Sequence, residues 1–454
     1  MTQPTLLWLR QDLRLHDQPA LAAAAAAGPV IPVYILDDDA PGDWRIGGAQ
    51  RWWLHHSLAA YGDALAAKGS RLILRRGDSA AILRALMAET GAGRIHAIRH
   101  YEPWWRDAER ALDDVLELHD GNHLAPIEEV TTGAGTPFKV FSSFWRAMQP
   151  HLPPPSPIEP PEAIDPPETW PESDALSDWD LLPTAPDWST GFDADWTPGE
   201  DAARTRVEDW AGGVDDYERR RNLPAEEGTS RLSPHLHHGE ISPRSIYHAL
   251  GGNEHAIGYV RELAWRDFTR GVLLALPDYG RTNGRPKYDA LPWRKGAAAK
   301  RDLNAWQKGQ TGYPIVDAGM RQLWTSGWMH NRVRMIAASF LVKHLLLDWR
   351  AGEDWYWDCL VDADYGNNAV NWQWIAGTGV DANMFSRIMA PLGQSEKFDA
   401  GEYIRRWVPE LAGLSEAVIH DPDAHGCRPE DYPAKIVGHK EARERALGAA
   451  RSLT

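Results

Sequence analysis

The chain has 454 residues, 43% hydrophobic and 25% charged, which allows two or three domains with real cores, and it uses 23 Trp against 8 Phe. Its net charge of −16 does not exclude nucleic acid: residues 159–201 hold thirteen Asp and Glu and no Lys or Arg, whereas residues 251–350 hold sixteen Lys and Arg against eight Asp and Glu. No apolar run reaches the ~20 residues of a membrane span. The start, MTQPTLLWLRQDLRLHD, lacks the regions of a signal peptide, so a cytoplasmic protein is expected. Two cysteines, Cys359 and Cys427, supply neither an iron–sulfur cluster nor a disulfide framework, and no metal is expected.

In chain order, strands are expected at 5–10 (TLLWLR), 30–36 (VIPVYIL), 71–77 (RLILRRG), 95–101 (IHAIRHY) and 123–130 (HLAPIEEV). Ala-rich segments of helical period, QPALAAAAAA and SLAAYGDALAAKG, lie between them. The alternation predicts a doubly wound, Rossmann-like, five-stranded parallel sheet over residues 1–130. Residues 131–201 read as a linker whose part from 151 onward is Pro-rich, acidic and aperiodic. From 202 to 454 no strand is expected. SIYHAL, GYVRELAWRDFTRGVLLAL, VDAGMRQLWTSG and HNRVRMIAASFLVKHLLLDW carry helical spacing, so this half reads as all-α.

Two motifs in the helical half stand out. EGTSRLSPHLHHGEISPRS (227–245) places hydroxyls and a flexible backbone before a helix, suiting either a phosphate or a plain N-cap. NNAVNWQWIAGTGVD (367–381) sets three Asn and a Gln around two Trp. Buried amides are costly unless each is hydrogen-bonded, so this segment needs a partner with polar edges and a flat face.

These motifs carry a resemblance. With WLRQDLRLHDQPAL, ELAWRDF, QTGYPIVDAGMRQLWTSGWMHNRVRM, GQSEKFDAGEYIRRWVPEL and HKEARERAL, the chain resembles the photolyase/cryptochrome family nearly end to end, and within it class I cyclobutane pyrimidine dimer (CPD) photolyases. The resemblance implies a helical FAD-binding domain, active with reduced anionic FAD, that splits cyclobutane dimers in UV-damaged DNA under light. It also implies a monomer needing no protein partner. An electron must enter a neutral ring, which no side chain can supply, so a cofactor is required. By resemblance, Tyr217, Thr229, Ser230, Arg231, Leu232, Ser233 and Arg266 hold the phosphates and ribityl chain. Asp362, Ala363 and Asp364 lie near the isoalloxazine and ribose, with Arg334 as the expected salt-bridge partner. Asn368 is expected to face flavin N5, where plant cryptochromes carry Asp, and the amides of the segment are expected to meet the flavin edge.

On the substrate side, the resemblance implies a pocket for the flipped lesion made by Glu262, Trp265, Asn331, Arg332, Met335 and Trp374, with Arg221, Arg387 and Gln394 also toward DNA. Related (6-4) photolyases carry His at the positions of Asn331 and Met335, so a cyclobutane substrate is expected over a (6-4) one. A cryptochrome-type photoreceptor is the other reading. It is weighed down by Asn368 and by a chain that ends at Thr454 without the long tail of many cryptochromes. Trp372, Trp349 and Trp293 resemble an electron-relay triad; about three extra residues between Trp293 and Trp306 leave Trp306 or another indole as an alternative end. An antenna chromophore (deazaflavin, folate or flavin) is left open. Trp104 and Trp105 stand where folate-binding relatives carry Asn and Glu, and Arg51 resembles a deazaflavin contact as much as a plain helix-face Arg.

Overall fold

Strict side-chain alternation along buried strands builds the first layer. In the computed structural model, which describes residues 3–382, 385 and 387–453, β1 (Thr5–Leu9), β2 (Val30–Leu36), β3 (Ile73–Arg76), β4 (Arg94–Ile98) and β5 (Leu116–His119) form one parallel sheet in the order β3-β2-β1-β4-β5. Thr5 registers with both Val30 and Arg94, which makes β1 central. Leu6 and Trp8 point to the face covered by the helices Ser79–Thr90 and Pro103–Ala111. Leu7 and Leu9 point to the face covered by Pro19–Ala27 and Gly48–Ala67. Burial on both faces is why these strands read as continuous apolar runs.

The last strand is displaced from its expected place. Residues 123–130 form no strand: Pro126 donates no hydrogen bond, and Ile127–Glu129 is a 3-10 turn packed on the helix Ile257–Ala275. β5 is instead LELH, a four-residue edge strand in which Glu117 and His119 interrupt the apolar pattern. The expected linker also contains a helix, Phe141–Met148, which packs on Ile257–Ala275. Beyond it, residues 151–201 run as a strap rather than a loose tether. Ile164, Trp179 and Leu181 enter the sheet core, and Phe192 and Trp196 pack with Trp52 and Trp53.

From residue 202 the described chain is helical, as the periodicity predicts. The helices Ile257–Ala275, Pro314–Ser326, Asn331–Ser339, Trp349–Cys359 and Tyr365–Ala376 share one large core, and Asn331–Ser339 runs on into a π-helical turn, Phe340–His344. Among the described residues, no helix is long and apolar enough to cross a membrane.

Buried polar contacts lock the helical half to the sheet. Asp17 pairs with Arg244 at 2.7 Å, and Trp53 Nε1 donates to Glu240 at 2.9 Å. Gly239, at φ +70°, lets its backbone approach Gln11 so closely that a Cβ would lie 2.0 Å from the Gln11 carbonyl oxygen. Asp267 Oδ2 accepts from Leu124 N at 2.8 Å, while Oδ1 is buried with no partner among the described residues.

Burial raises the Asp267 carboxyl to about 7. In the unfolded chain it titrates near ~3.9, so the folded state binds the proton more tightly. Its stabilising contribution is complete below about pH 4 and is lost as pH rises through about 7. Asp267→Asn should therefore flatten the fall in stability between pH 5 and 8, by an amount on the order of 2 kcal/mol. Denaturant unfolding of both proteins across that range measures it.

Candidate active site

The segment Tyr365–Ala376 starts where a helix can be capped. The Asp364 side chain accepts from Asn367 N at 2.8 Å, and Gly377, at φ +83°, closes the other end. The same carboxylate pairs with Arg270, whose Nη1 lies 2.7 Å from Oδ1 and whose Nη2 reaches Oδ2. Burial alone would raise this carboxyl, but the Arg270 guanidinium and His237 hold it well below the usual range. The helix thus begins at a fixed, charged point between Ile257–Ala275 and the sheet domain, because Glu102 also lies 3.6 Å from Arg270.

The helices Ile257–Ala275, Asn331–Ser339, Trp349–Cys359 and Tyr365–Ala376, with the loop at 229–232, enclose a cavity of ≈ 500 Å³. Of the residues expected in cofactor binding, Tyr217, Thr229, Ser230, Arg231, Leu232, Ser233, Arg266, Arg334, Asp362, Ala363, Asp364 and Asn368 all line it. So do Arg221, Glu262, Trp265, Asn331, Arg332, Met335 and Trp374 from the expected substrate side, and Trp372. A second hollow of ≈ 330 Å³ shares Arg332, Met335 and Trp374 with the first and adds Arg387 and Gln394. One open channel therefore brings the two expected groups together.

Its electrostatics are graded. At one end, Arg334 grips Asp362 with two hydrogen bonds of 2.9 and 3.1 Å. Burial and the nearby Arg270 lower the Arg266 guanidinium to about 10. Arg231, at φ +54°, packs over Trp196 and Trp328, with its Nε buried and unpartnered among the described residues. In the middle, Asn368 Nδ2 donates to the Glu353 carbonyl at 3.2 Å. A carbonyl only accepts, so this bond sets which way the amide points and leaves Oδ1 as its remaining acceptor. At the mouth, Arg221 pairs with Glu262 at 2.7 Å, and Arg332 Nε donates to Asn222 at 3.1 Å. Trp265 has one face covered: the Phe141 ring lies parallel to it, 3.7 Å between centroids and 7° between planes.

Several expectations need correcting. Of the two carboxylates Arg334 pairs with Asp362, and the guanidinium partner of Asp364 is Arg270. Gln373 does not face the cavity with the asparagines. It is fully buried on the other side of its helix, donating to the carbonyls of Tyr279 and Thr282 and accepting from Gly284 N at 2.8 Å. Of the expected relay only Trp372 lines the cavity, and Trp349 and Trp293 lie beyond it, as a route to the surface requires. Trp349 is fully buried, one turn before Gly352, against whose backbone the Trp372 ring packs; Trp293 is half-buried beside Phe385. The nearest rings to Trp372 are Tyr356 at 4.9 Å and the fully buried Trp306 at 6.4 Å. Arg51 lies outside both hollows with its guanidinium bound to Asp38. Trp104 packs on Tyr365 and Trp105 on His100.

Arg270, Asn222 and Phe141 were not foreseen. Arg270 could have been found, since it follows Arg266 by four residues and shares its helix face. Phe141 lay in a segment read as linker.

The comparisons agree with this geometry. A family model described as DNA photolyase matches residues 5–163, and one described as FAD binding domain of DNA photolyase matches residues 259–452. The chain is 46% identical to a deoxyribodipyrimidine photo-lyase of Agrobacterium fabrum, over 99% of this chain and 98% of that one. A bacterial class III photolyase from Agrobacterium tumefaciens superposes with a TM-score of 0.94 at 45% identity, covering 100% of this chain and 98% of that one. The motifs alone pointed to class I. An archaeal photolyase from Sulfolobus tokodaii, solved with two FAD molecules and read as implying a novel light-harvesting cofactor, superposes with a TM-score of 0.85 at 30% identity, over 99% of this chain and 100% of that one.

Arg270→Leu leaves Asp364 buried and charged, so it should destabilise the protein by about 3–5 kcal/mol. The double variant Arg270→Leu/Asp364→Asn should recover part of that loss. A double-mutant cycle by chemical denaturation reads the coupling; additive losses would mean that the pair does not anchor the helix.

Proposed function

The chain belongs to the DNA photolyase family, and from that premise we propose that it is a light-dependent DNA-repair enzyme acting on cyclobutane pyrimidine dimers. The observation that carries this reading is the single channel whose inner wall is made of amides and arginines and whose mouth is made of indoles, Glu262 and cations.

The protein binds FAD, and the inner cavity suits it. The unpartnered Arg231 Nε, the hydroxyls of Thr229, Ser230 and Ser233, and the Arg266 charge offer donors for phosphates. Asn368 supplies an amide acceptor held at one orientation by the Glu353 carbonyl. Bound reduced flavin supplies an excitable electron donor, a chemistry absent from side chains.

The chain's own residues do the rest. Asn368 is assigned to the N5 edge, where an amide can hydrogen-bond but cannot release a proton as an Asp would. Trp265, its back face held by Phe141, and Trp374 offer flat surfaces for a flipped-out pyrimidine dimer. Glu262 is assigned to the base edges; its pairing with Arg221 sets the carboxylate in place before substrate arrives. Asn331 and Met335 offer no acid at the mouth. His330, which follows Met329 at the helix start, is buried, lowered to about 4 and used as the cap of Asn331–Ser339. A mouth without an imidazole favours a cyclobutane substrate, whose splitting requires no proton transfer to a leaving hydroxyl. Arg221, Arg332 and Arg387 are assigned to phosphates flanking the lesion. Trp372, Trp349 and Trp293 are assigned to an indole route between cavity and surface, with Trp306 as a branch in contact with Trp372.

The deciding experiment is repair of a thymine-dimer oligonucleotide by the reduced protein under blue light, beside a (6-4) oligonucleotide. Turnover of the second and not the first would overturn the substrate assignment. Affinity for damaged DNA should fall as salt rises, since cations at the mouth displace condensed counterions. Glu262→Ala should weaken binding by about 1–3 kcal/mol and lower the splitting yield at saturating DNA; unchanged values would move the lesion elsewhere.

Trp372→Phe should greatly slow photoreduction by an external donor. Repair by chemically pre-reduced protein should persist, because the indole route only recharges the site. Wild-type photoreduction in this variant would show that another route dominates.

A further inference from the structure

At the edge of the sheet, β4 and β5 place three donor side chains on one face. His96 registers with Glu117, and His119 is two residues farther along β5, so all three project to the side opposite Ile95, Ala97, Leu116 and Leu118. His96 Nδ1 lies 3.1 Å from His119 Nε2. The Glu117 carboxylate lies 4.0 Å from His96 Nδ1 and 3.7 Å from His119 Nε2. Among the described residues this is the one group of three His, Cys, Asp or Glu whose donor atoms all lie within 4.8 Å of one another. None of the three lines either hollow of the candidate active site.

We propose that His96, Glu117 and His119 form a binding site for a divalent transition metal of the zinc type. Two ring nitrogens bound at 2.0–2.1 Å to a tetrahedral ion sit about 3.3 Å apart. The two nitrogens here are therefore already close to that spacing. The nearest carboxylate oxygens, Oε2 toward His96 and Oε1 toward His119, must close by about 0.4–0.7 Å to that spacing, and the Glu117 side chain is exposed and has room to turn. Two imidazoles and one carboxylate select zinc, cobalt, nickel or copper over magnesium and calcium, which take oxygen ligands. Water would complete the shell.

A ring nitrogen binds a metal through its lone pair. In the metal-free pair one ring donates N–H to the other. On binding, that proton moves to the second nitrogen of its own ring, so both facing nitrogens present lone pairs and no net proton is released. The cysteine count argued against thiolate-bound metal; it does not bear on imidazole. The effect of the ion is local: β5 is a four-residue edge strand, and a metal held by β4 and β5 together staples it to the sheet.

The test uses the full FAD-loaded chain without a polyhistidine tag. Titration with Co²⁺ should give a saturable, one-to-one visible absorption band that Zn²⁺ displaces. Amide exchange in 116–119 should slow on Zn²⁺ binding, while the flavin spectrum stays unchanged. Glu117→Gln changes an exposed side chain and should weaken binding with the fold intact; His119→Ala should abolish the band. Absence of a saturable band, or one that persists in His119→Ala, would overturn the proposal.

Discussion

The Asp364 carboxylate is the constraint on which the rest of the site depends. It caps the helix Tyr365–Ala376, pairs with Arg270 and meets His237. A buried carboxylate tolerates desolvation only with such partners. Because it is held from three directions, the helix behind it has a fixed start and rotation. Asn368 and Trp372, four and eight residues on, therefore face the cavity, while Gln373 turns outward to bind the 279–284 segment. A cap chosen only for helix stability would not need a buried guanidinium.

The N-terminal sheet contributes to this site without lining it. Glu102, at the start of Pro103–Ala111, stands beside Arg270, and Trp104 packs on Tyr365. The segment after β5 meets Asp267 on the same helix that carries Trp265 and Arg266. The two halves are thus coupled through Ile257–Ala275, whose one side faces the cavity and whose other side receives the N-terminal chain. The helix Phe141–Met148 extends this: Phe141 fills the rear of Trp265, and its amide donates to Asp381 at 2.9 Å. A supported ring is a better stacking surface than one free to rotate.

The abundance of indole has more than one cause. Trp52, Trp53, Trp196 and Trp328 form a small core between the strap and the helical half, where their size fills space that Leu would not. Trp306, Trp349 and Trp372 are buried in the helical core, Trp306 and Trp372 beside Tyr356. Trp265 and Trp374 are half-buried at the channel mouth. Composition alone cannot separate these uses, since packing, conduction and stacking all ask for the same ring.

Sequence by itself determined the parallel sheet, the helical half, the family and many of the residues that line the channel. Period-two and period-3.6 patterns are local, and the family motifs are long enough to be specific. Tertiary structure alone decided the rest. β5 is too short and too polar at Glu117 and His119 to show a strand period, so its place depends on pairing with β4. Asn368 and Gln373 are alike as amides, and only the helix rotation sends one inward and the other out. Arg334 and Arg270 are alike as charges, and only distance in the folded chain assigns Asp362 to one and Asp364 to the other. Phe141 carries no signal at all, because its role exists only where a distant segment folds back onto Trp265.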